Sequence, residues 1–173
     1  MTEREDRKVK VDLQLYVSEL MYDIENYAYI EGDVMKPKEE HDRHMVTDIG
    51  QAGNVDRVKR MLDIAYAECV EFLYPYTKEE AEEDMLVTNV RDDPSAAYRI
   101  RMVLPWSISK TTIDLFKKQL HEYMVCRVLV DWFGIANIEK MDMWLGRMED
   151  AKRGMMKILI NRRTRVRLKQ TPF

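Results

Sequence analysis

The stretch KTTIDLFKKQLHEYMVCRVLVDWFGIANIEKMDMWLGRMEDAKRGMMKILI, residues 110–160, decides the fold of this chain. Its apolar residues recur at spacings of three and four, as they do on the buried face of an α-helix. Ser107 or Ser109, just before this stretch, can cap the first helix; Gly134 is a natural residue to follow its end, and Asn137 can cap the start of the next helix. The stretch therefore predicts two helices, 110–133 and 138–160, that form an antiparallel hairpin joined by a short turn.

Helical spacing also occurs upstream of this hairpin. Residues 7–30 have it throughout; their first half also alternates as a strand would, but the long continuation favours one helix. A short helix is expected over residues 38–49. A longer helix should follow, with Asn54 as its N-cap and Pro75 as its stop.

Two β-rich runs lie between the helical regions, at Met85–Val90 and Tyr98–Leu104. Asp, Pro and Ser residues separate them, and the second run alternates apolar with basic residues, which predicts a hairpin. The expected fold is mainly α: a helical bundle with a central β-hairpin at about 85–104 and an extended basic C-terminal arm. Residues 1–160 are predicted to form one helical domain and residues 161–173 the arm, in keeping with a length of 173 residues.

Charge is unevenly distributed along the chain. Residues 151–173 carry eight Lys or Arg and no Asp or Glu, whereas residues 1–150 carry 20 basic and 31 acidic side chains. The formal net charges of the two parts are therefore +8 and −11. An acidic body with a basic end can bind copies of itself, or can lay the basic end on a polyanion.

The candidate binding residues are five cations near the C-terminus. They are Arg162, Arg163, Arg165, Arg167 and Lys169. Arginine suits both phosphate and carboxylate, because its planar fork matches either anion. Basic residues alternate here with small or apolar ones, so the segment can add to a sheet edge as a strand. The alternatives are a solvated arm in the isolated monomer, and an acidic run at residues 79–84 that is either solvated surface or a docking patch for this arm.

No catalytic, cofactor or metal site is predicted. His41 and His44 lie three residues apart, but a transition metal needs more ligands than this stretch supplies, so a solvated helix is favoured. His121 and Cys126 are about 140° apart on a helix, which argues against a Cys–His pair. Cys69 and Cys126 lie in apolar helical patterns and are expected to be buried free thiols. Neither a glycine-rich phosphate loop nor a nucleophile elbow is present in the sequence.

The sequence shows no run that approaches the ~20 apolar residues of a membrane span. Its first residues, MTEREDRKVK, are charged and lack the apolar stretch of a signal peptide. We therefore expect a protein made and kept in cytoplasm, without a membrane partner.

Residues 104–173 carry a family resemblance. Its motifs are a Leu-Pro-Trp turn, the helix HEYMVCRVLVDWF, the pattern WLGRMEDAKRGMMKIL and the basic end RRTRVRLKQTPF. In this order they resemble small virion proteins of tailed phages and prophages of the Bacteroides group, of the head–tail connector, adaptor or tail-completion type. The resemblance implies a non-enzymatic ring subunit at the head–tail junction or tail, made in the bacterial cytoplasm and located in the virion. Its partners would be other copies and virion proteins such as portal or tail components.

The charge pattern is compatible with a ring, because head-to-tail contacts need two unlike and complementary surfaces. An acidic body and a basic arm form such a pair. The alternative is a DNA-binding or regulatory helical protein that uses its basic C-terminus, although the acidic body opposes approach to DNA. The two hypotheses can be combined in a ring whose basic arms line a lumen and contact DNA non-specifically.

Overall fold

The computed structural model describes residues 8–35, 40–77, 96–105 and 108–161. In chain order the elements are β1 (Lys8–Tyr16), α1 (Val17–Val34), α2 (Glu40–Thr47), a 3₁₀ turn (Asp48–Gly50), α3 (Ala52–Thr77), β2 (Ala97–Pro105), α4 (Lys110–Ala136) and α5 (Ile138–Asn161). The described part is 81% helical and contains one antiparallel pair of strands. The predicted class, mainly α with an antiparallel strand pair, is confirmed.

Helices α4 and α5 form the predicted antiparallel hairpin, and both predicted N-caps are present. The Ser109 hydroxyl accepts a hydrogen bond from the backbone N–H of Thr112 at 3.2 Å. The side-chain oxygen of Asn137 accepts one from the backbone N–H of Lys140 at 3.3 Å. Each cap satisfies a donor of the first helical turn that has no partner within the helix.

The end of α4 differs from the prediction. The helix continues through Gly134 to Ala136, because the backbone N–H of Asn137 still bonds the Phe133 carbonyl at 2.8 Å. A Cβ atom at Gly134 would lie 3.4 Å from the Met141 sulfur. This is an ordinary contact distance, so the packing of α4 on α5 does not require glycine here, and Gly134 does not end the helix.

Strand β1 corrects the prediction of a single helix over residues 7–30. The first half of that stretch pairs antiparallel with β2, and α1 begins only at Val17. The strand forms because its alternation buries Leu13 and Leu15, and partly buries Val11, on the face of the sheet that packs on the core. β2 supplies the backbone partners that an isolated strand would lack.

Strand β2 confirms the strand predicted at 98–104. The alternate residues Tyr98, Ile100, Met102 and Leu104 are buried, whereas Arg99, Arg101 and Val103 between them are exposed, as the alternation predicts. In the described chain β2 is paired with β1, from which helices α1, α2 and α3 separate it in sequence. The other predicted strand, Met85–Val90, and the acidic run at 79–84 lie outside the described residues.

Helix α3 is longer at both ends than predicted. It begins at Ala52, and the Asn54 side chain does not cap it but donates a hydrogen bond to the Asp48 carbonyl at 2.8 Å. At the other end, Pro75 lies inside the last turn and the helix continues to Thr77. A proline in the last turn removes only one backbone donor, so the helix runs on for two more residues.

The core lies around α4, which packs against α5, α3, α1 and α2. The buried apolar side chains of α4 are Phe116, Leu120, Tyr123, Met124, Val125, Cys126, Val128, Leu129, Trp132 and Phe133. This broad buried surface matches the central position that the sequence predicts for this helix. The inner face of the sheet adds Leu13, Leu15, Ile100 and Met102 to the same cluster.

Candidate interaction surfaces

The five predicted binding residues lie outside the described residues. They are Arg162, Arg163, Arg165, Arg167 and Lys169. They follow directly in sequence after α5, which ends at Asn161. Two cations in the C-terminal half of α5 have partners within the fold. Arg153 forms an ion pair with Asp150, and the Lys152 ammonium lies 5.6 Å from the centre of the Phe72 ring.

Helix α1 has the most one-sided charge of the described elements. It carries five carboxylates and no Lys or Arg. The five are Glu19, Asp23, Glu25, Glu31 and Asp33. Its buried residues recur every four positions, so one side of the helix packs on the core and the opposite side faces solvent.

Three of these carboxylates bind cationic or imidazole groups on neighbouring helices. The pairs are Asp23 with His121 on α4, Asp33 with Arg43 on α2, and Glu31 with Lys140 on α5. The Asp23–His121 contact is 2.7 Å and the Asp33–Arg43 contact 3.2 Å. Among the described residues, Glu19 and Glu25 form no ion pair. Part of the acidity of α1 therefore holds the helix on the bundle, and part is left at the surface.

The solvent side of α1, here called the α1 outer face, combines acidic, aromatic and aliphatic side chains. It consists of Glu19, Tyr22, Glu25, Asn26, Tyr29, Ile30, Asp33 and Val34. Tyr22 and Tyr29 are 69% and 63% exposed, so neither ring is used by the core. They lie seven residues apart, two helical turns along the same side. A guanidinium group is attracted to the face of a tyrosine ring, and it forms charge-assisted hydrogen bonds with carboxylates. The face is therefore chemically suited to an arginine-rich segment.

An open cleft of about 380 Å³ lies between α1 and α4, lined in part by Ser18, Asp23 and His121. The His121 side chain is 21% exposed, so it lies at the boundary between the core and the surface. Asp23 orients the imidazole through their hydrogen bond, and Ser18 adds a hydroxyl to the lining of the cleft. Among the described residues, however, Ser18 makes no hydrogen bond to His121, so this cleft does not contain an assembled nucleophile–base pair.

The cysteines confirm the expectation of buried free thiols. Burial raises the pKa of the Cys126 thiol to about 12, and burial also raises the pKa of Cys69 well above its usual range. Both thiols are therefore neutral at neutral pH and are poor nucleophiles. Within the described ranges, no group of three or more His, Cys, Asp or Glu side chains is placed to hold a metal ion.

Other charged groups have structural roles. Arg127 bridges Glu68 on α3 and Asp131 on its own helix, and the Tyr123 hydroxyl donates to the same Glu68 carboxylate at 2.9 Å. Burial and this hydrogen bond raise the pKa of Tyr123 well above its usual range. The network fastens α3 to α4, so its charges are already satisfied inside the protein.

The solvent face of the two-stranded sheet is basic. The strand register places Lys8 opposite Pro105 and Lys10 opposite Val103; further along, Asp12 lies opposite Arg101 and Gln14 opposite Arg99. The four cations on this face are here called the basic sheet face: Lys8, Lys10, Arg99 and Arg101, all exposed. The sequence interpretation missed this surface. It placed Lys8 and Lys10 on a helix, and it paired the strand that carries Arg99 and Arg101 with residues 85–90. The signal was present in the alternation of Val9, Val11, Leu13 and Leu15, which puts the intervening lysines on the opposite face.

The sheet also has an open edge in the described structure. Val17 N–H donates to the Ala96 carbonyl at 3.2 Å, which extends the ladder and sets its phase. In this phase the backbone groups of Lys10, Asp12 and Gln14 point away from β2. On the other side of the sheet, the outward carbonyl of Arg99 accepts a hydrogen bond from the Tyr66 hydroxyl of α3 at 2.6 Å. The outer edge of β1 is therefore the edge that an added strand would meet.

Comparison with known proteins gives no match to a family model, to a curated protein or to a solved structure. None of the described helices is long and apolar enough to span a bilayer. The charged and aromatic surfaces described above are therefore the basis on which a function is inferred.

Proposed function

We propose that this chain is a non-enzymatic virion structural protein that assembles head to tail into a ring at the head–tail junction of a tailed phage. The observation that carries the proposal is the α1 outer face, whose carboxylates and exposed tyrosines complement the basic C-terminal segment. In the proposed ring, residues 162–169 of one copy bind the α1 outer face of the next copy.

The charged and the apolar residues of the C-terminal segment each have a complement on the α1 outer face. Arg163, Arg165 and Arg167 would meet the carboxylates and the tyrosine rings of α1. Val166 and Leu168 alternate with these arginines and would meet the exposed aliphatic side chains near the end of α1, where Ile30 and Val34 are 48% and 73% exposed. The contact would therefore combine ion pairs with apolar burial, as stable protein interfaces do.

The outer edge of β1 is a less favourable acceptor for the same segment. A strand added there would place its arginines beside Lys8 and Lys10 on the solvent face of the sheet. Like charges on neighbouring strands are destabilising. The alternative orientation would turn the arginines toward the apolar inner face, which costs more. The α1 outer face is therefore the better acceptor.

A ring requires that the donor and the acceptor be different surfaces of one subunit. The donor follows α5, and the acceptor is α1, so each copy retains one free donor and one free acceptor until the cycle closes. Extended residues 162–173 have a reach of roughly 40 Å, enough to cross a subunit boundary. Portal or tail components would then bind above and below the ring, and DNA would pass through its lumen.

The test uses two full-length variants that each remove one half of the contact. The donor variant is Arg163→Glu, Arg165→Glu and Arg167→Glu; the acceptor variant is Glu19→Lys and Glu25→Lys. We expect wild-type protein to form a closed oligomer by mass measurement, and each variant alone to be monomeric. A mixture of the two variants retains one intact donor and one intact acceptor, so it should stop at dimers.

The matched control for the acceptor variant is Glu139→Lys and Glu149→Lys, which makes the same change in charge on α5 instead of α1. This control should assemble normally. A monomeric wild-type protein, or an acceptor variant that assembles like wild type, would refute the proposal. Assembly of the donor variant would show that the basic segment is not the adhesive element.

A further inference from the structure

The basic sheet face has a regular geometry that the proposed ring contact does not use. In the register of the sheet, one cation occupies each of four successive positions along its length. They are Lys8 and Lys10 on β1, followed by Arg101 and Arg99 on β2. Alternate residues of a strand are about 6.5 Å apart, so the four charges form a diagonal line about 20 Å long.

These cations are not neutralised within the described fold. None of the ion pairs among the described residues involves Lys8, Lys10, Arg99 or Arg101. Asp12 is the single carboxylate on this face of the two strands, and it lies across from Arg101. The sheet face therefore keeps a formal charge of +3 in a chain whose net charge is −3. Cations held in a row without ion-pair partners in the described fold are typical of a surface that binds a linear array of anions.

We infer that the basic sheet face binds the phosphate backbone of a nucleic acid. This inference goes beyond the proposed ring contact, since it uses neither the C-terminal segment nor the α1 outer face. The exposed Tyr16, at 46% exposure, lies at the arginine end of the line and can contact a sugar or an unpaired base. Contacts of this kind to backbone phosphates carry little sequence information, so binding should be non-specific.

A second protein surface fits this face less well than a nucleic acid does. Protein interfaces have an apolar centre from which charged residues are depleted. Here the centre of the face is occupied by Lys10, Arg101 and Asp12, and Val103, at 41% exposure, is its main apolar contribution. Nucleic-acid interfaces are instead polar and strongly positive.

The test measures binding of full-length protein to a labelled duplex of about 20 base pairs, and to the corresponding single strand, between about 50 and 200 mM salt. The first variant is Arg99→Gln with Arg101→Gln, and the second is Lys8→Gln with Lys10→Gln. The control is Lys117→Gln with Lys118→Gln on α4, which removes the same charge elsewhere. Circular dichroism establishes that each variant keeps the helical fold.

We expect each sheet variant to lower the slope of log affinity against log salt by about 2, since each phosphate contact contributes about 0.9 to the slope for a duplex. At about 0.1 M salt this corresponds to a loss of affinity of at least roughly tenfold. The α4 control should bind like wild type. A fourth variant, with Arg163, Arg165 and Arg167 changed to Gln, measures the contribution of the C-terminal segment separately.

Four results would overturn the inference. They are absence of nucleic-acid binding by the wild type, equal weakening in the sheet variants and the α4 control, binding that depends on the C-terminal variant alone, and sheet variants that alter oligomer mass without altering binding. The last result would make the sheet face an interface between copies. Each of these results can occur whether or not the α1 outer face accepts the C-terminal segment, so the two proposals fail separately.

Discussion

Strand β1 and helix α1 follow one another in the chain, yet their outer surfaces carry opposite charge. The strand turns Lys8 and Lys10 to solvent, whereas the helix carries five carboxylates and no basic residue. The two surfaces also differ in how their charges are used. Most carboxylates of α1 bind groups on α2, α4 and α5, while the cations of the sheet take part in none of the ion pairs of the described fold.

This difference shows that the net charge of a segment does not describe its surfaces. The acidic balance of residues 1–150 suggests a uniformly acidic body, but the fold sorts the charges by element. An alternating strand sends every second residue to solvent and gathers cations that helical spacing would scatter. Three carboxylates of α1 form ion pairs with neighbouring helices, so only the unpaired carboxylates are available to a partner.

The largest effects on stability should come from the buried sides of β1 and α1, which do not differ as the outer surfaces do. Leu15 on β1 and Ile24 on α1 are 1% and 0% exposed and belong to one core cluster. We expect Leu15→Ala and Ile24→Ala each to lower the free energy of unfolding by about 2–5 kcal/mol, measured by urea denaturation. A loss below about 1 kcal/mol at either site would mean that this element is not packed on the core as described.

The second effect separates paired from unpaired carboxylates on α1. Glu31 binds Lys140, and both side chains are about three-quarters or more buried. Glu31→Gln should lower the free energy of unfolding by about 1–2 kcal/mol, between the values typical of surface and buried pairs. Glu19→Gln, on the same helix but without an ion pair in the described fold, is the matched control and should change it by less than about 0.5 kcal/mol. Equal effects at the two positions would contradict the distinction.

The sequence predicts the helices well because their signals are local. The Ser109 and Asn137 caps and the apolar faces of α4 and α5 are found where periodicity and capping place them. The sheet is harder to predict, because Lys8–Tyr16 and Ala97–Pro105 are distant in sequence and neither strand shows its partner. Residues 7–30 satisfy both a helical and an alternating pattern, and only the presence of β2 decides between them.

The candidate surfaces also differ in whether their signal in the sequence is local. The charge imbalance and the basic C-terminal segment are visible in sequence, but the surface suited to bind that segment is not. The sequence interpretation named the acidic run at 79–84 as the possible docking patch, because its carboxylates are consecutive. The carboxylates of the α1 outer face are spread over four turns and become one surface only when the helix forms.

A third effect concerns the edge of the sheet that α3 covers. The Tyr66 hydroxyl donates to the outward carbonyl of Arg99, and the Tyr66 ring stacks on Tyr98 with 4.8 Å between centroids. Tyr66→Phe keeps the stacking and removes the hydrogen bond, so it should cost about 0.5–1.5 kcal/mol of unfolding free energy. Hydrogen exchange at β2 should accelerate while exchange in α5 is unchanged. Unaltered stability would mean that this edge does not need the hydroxyl.

The smallest effect should come from the basic sheet face. Arg99→Gln with Arg101→Gln should change the free energy of unfolding by less than about 0.5 kcal/mol, because both side chains are exposed and take part in no ion pair of the described fold. Removing both arginines relieves repulsion with the nearby lysines but also loses the attraction between Arg101 and Asp12, its partner across the strands. The two terms oppose each other, so the net change should be small at low salt and should fade as salt screens the charges. Urea denaturation at low and moderate salt measures both the size and the sign. A loss above about 1 kcal/mol would show that the arginines serve the fold, and the contrast with α1 would then disappear. A near-zero change together with weakened nucleic-acid binding would instead assign these charges to a ligand.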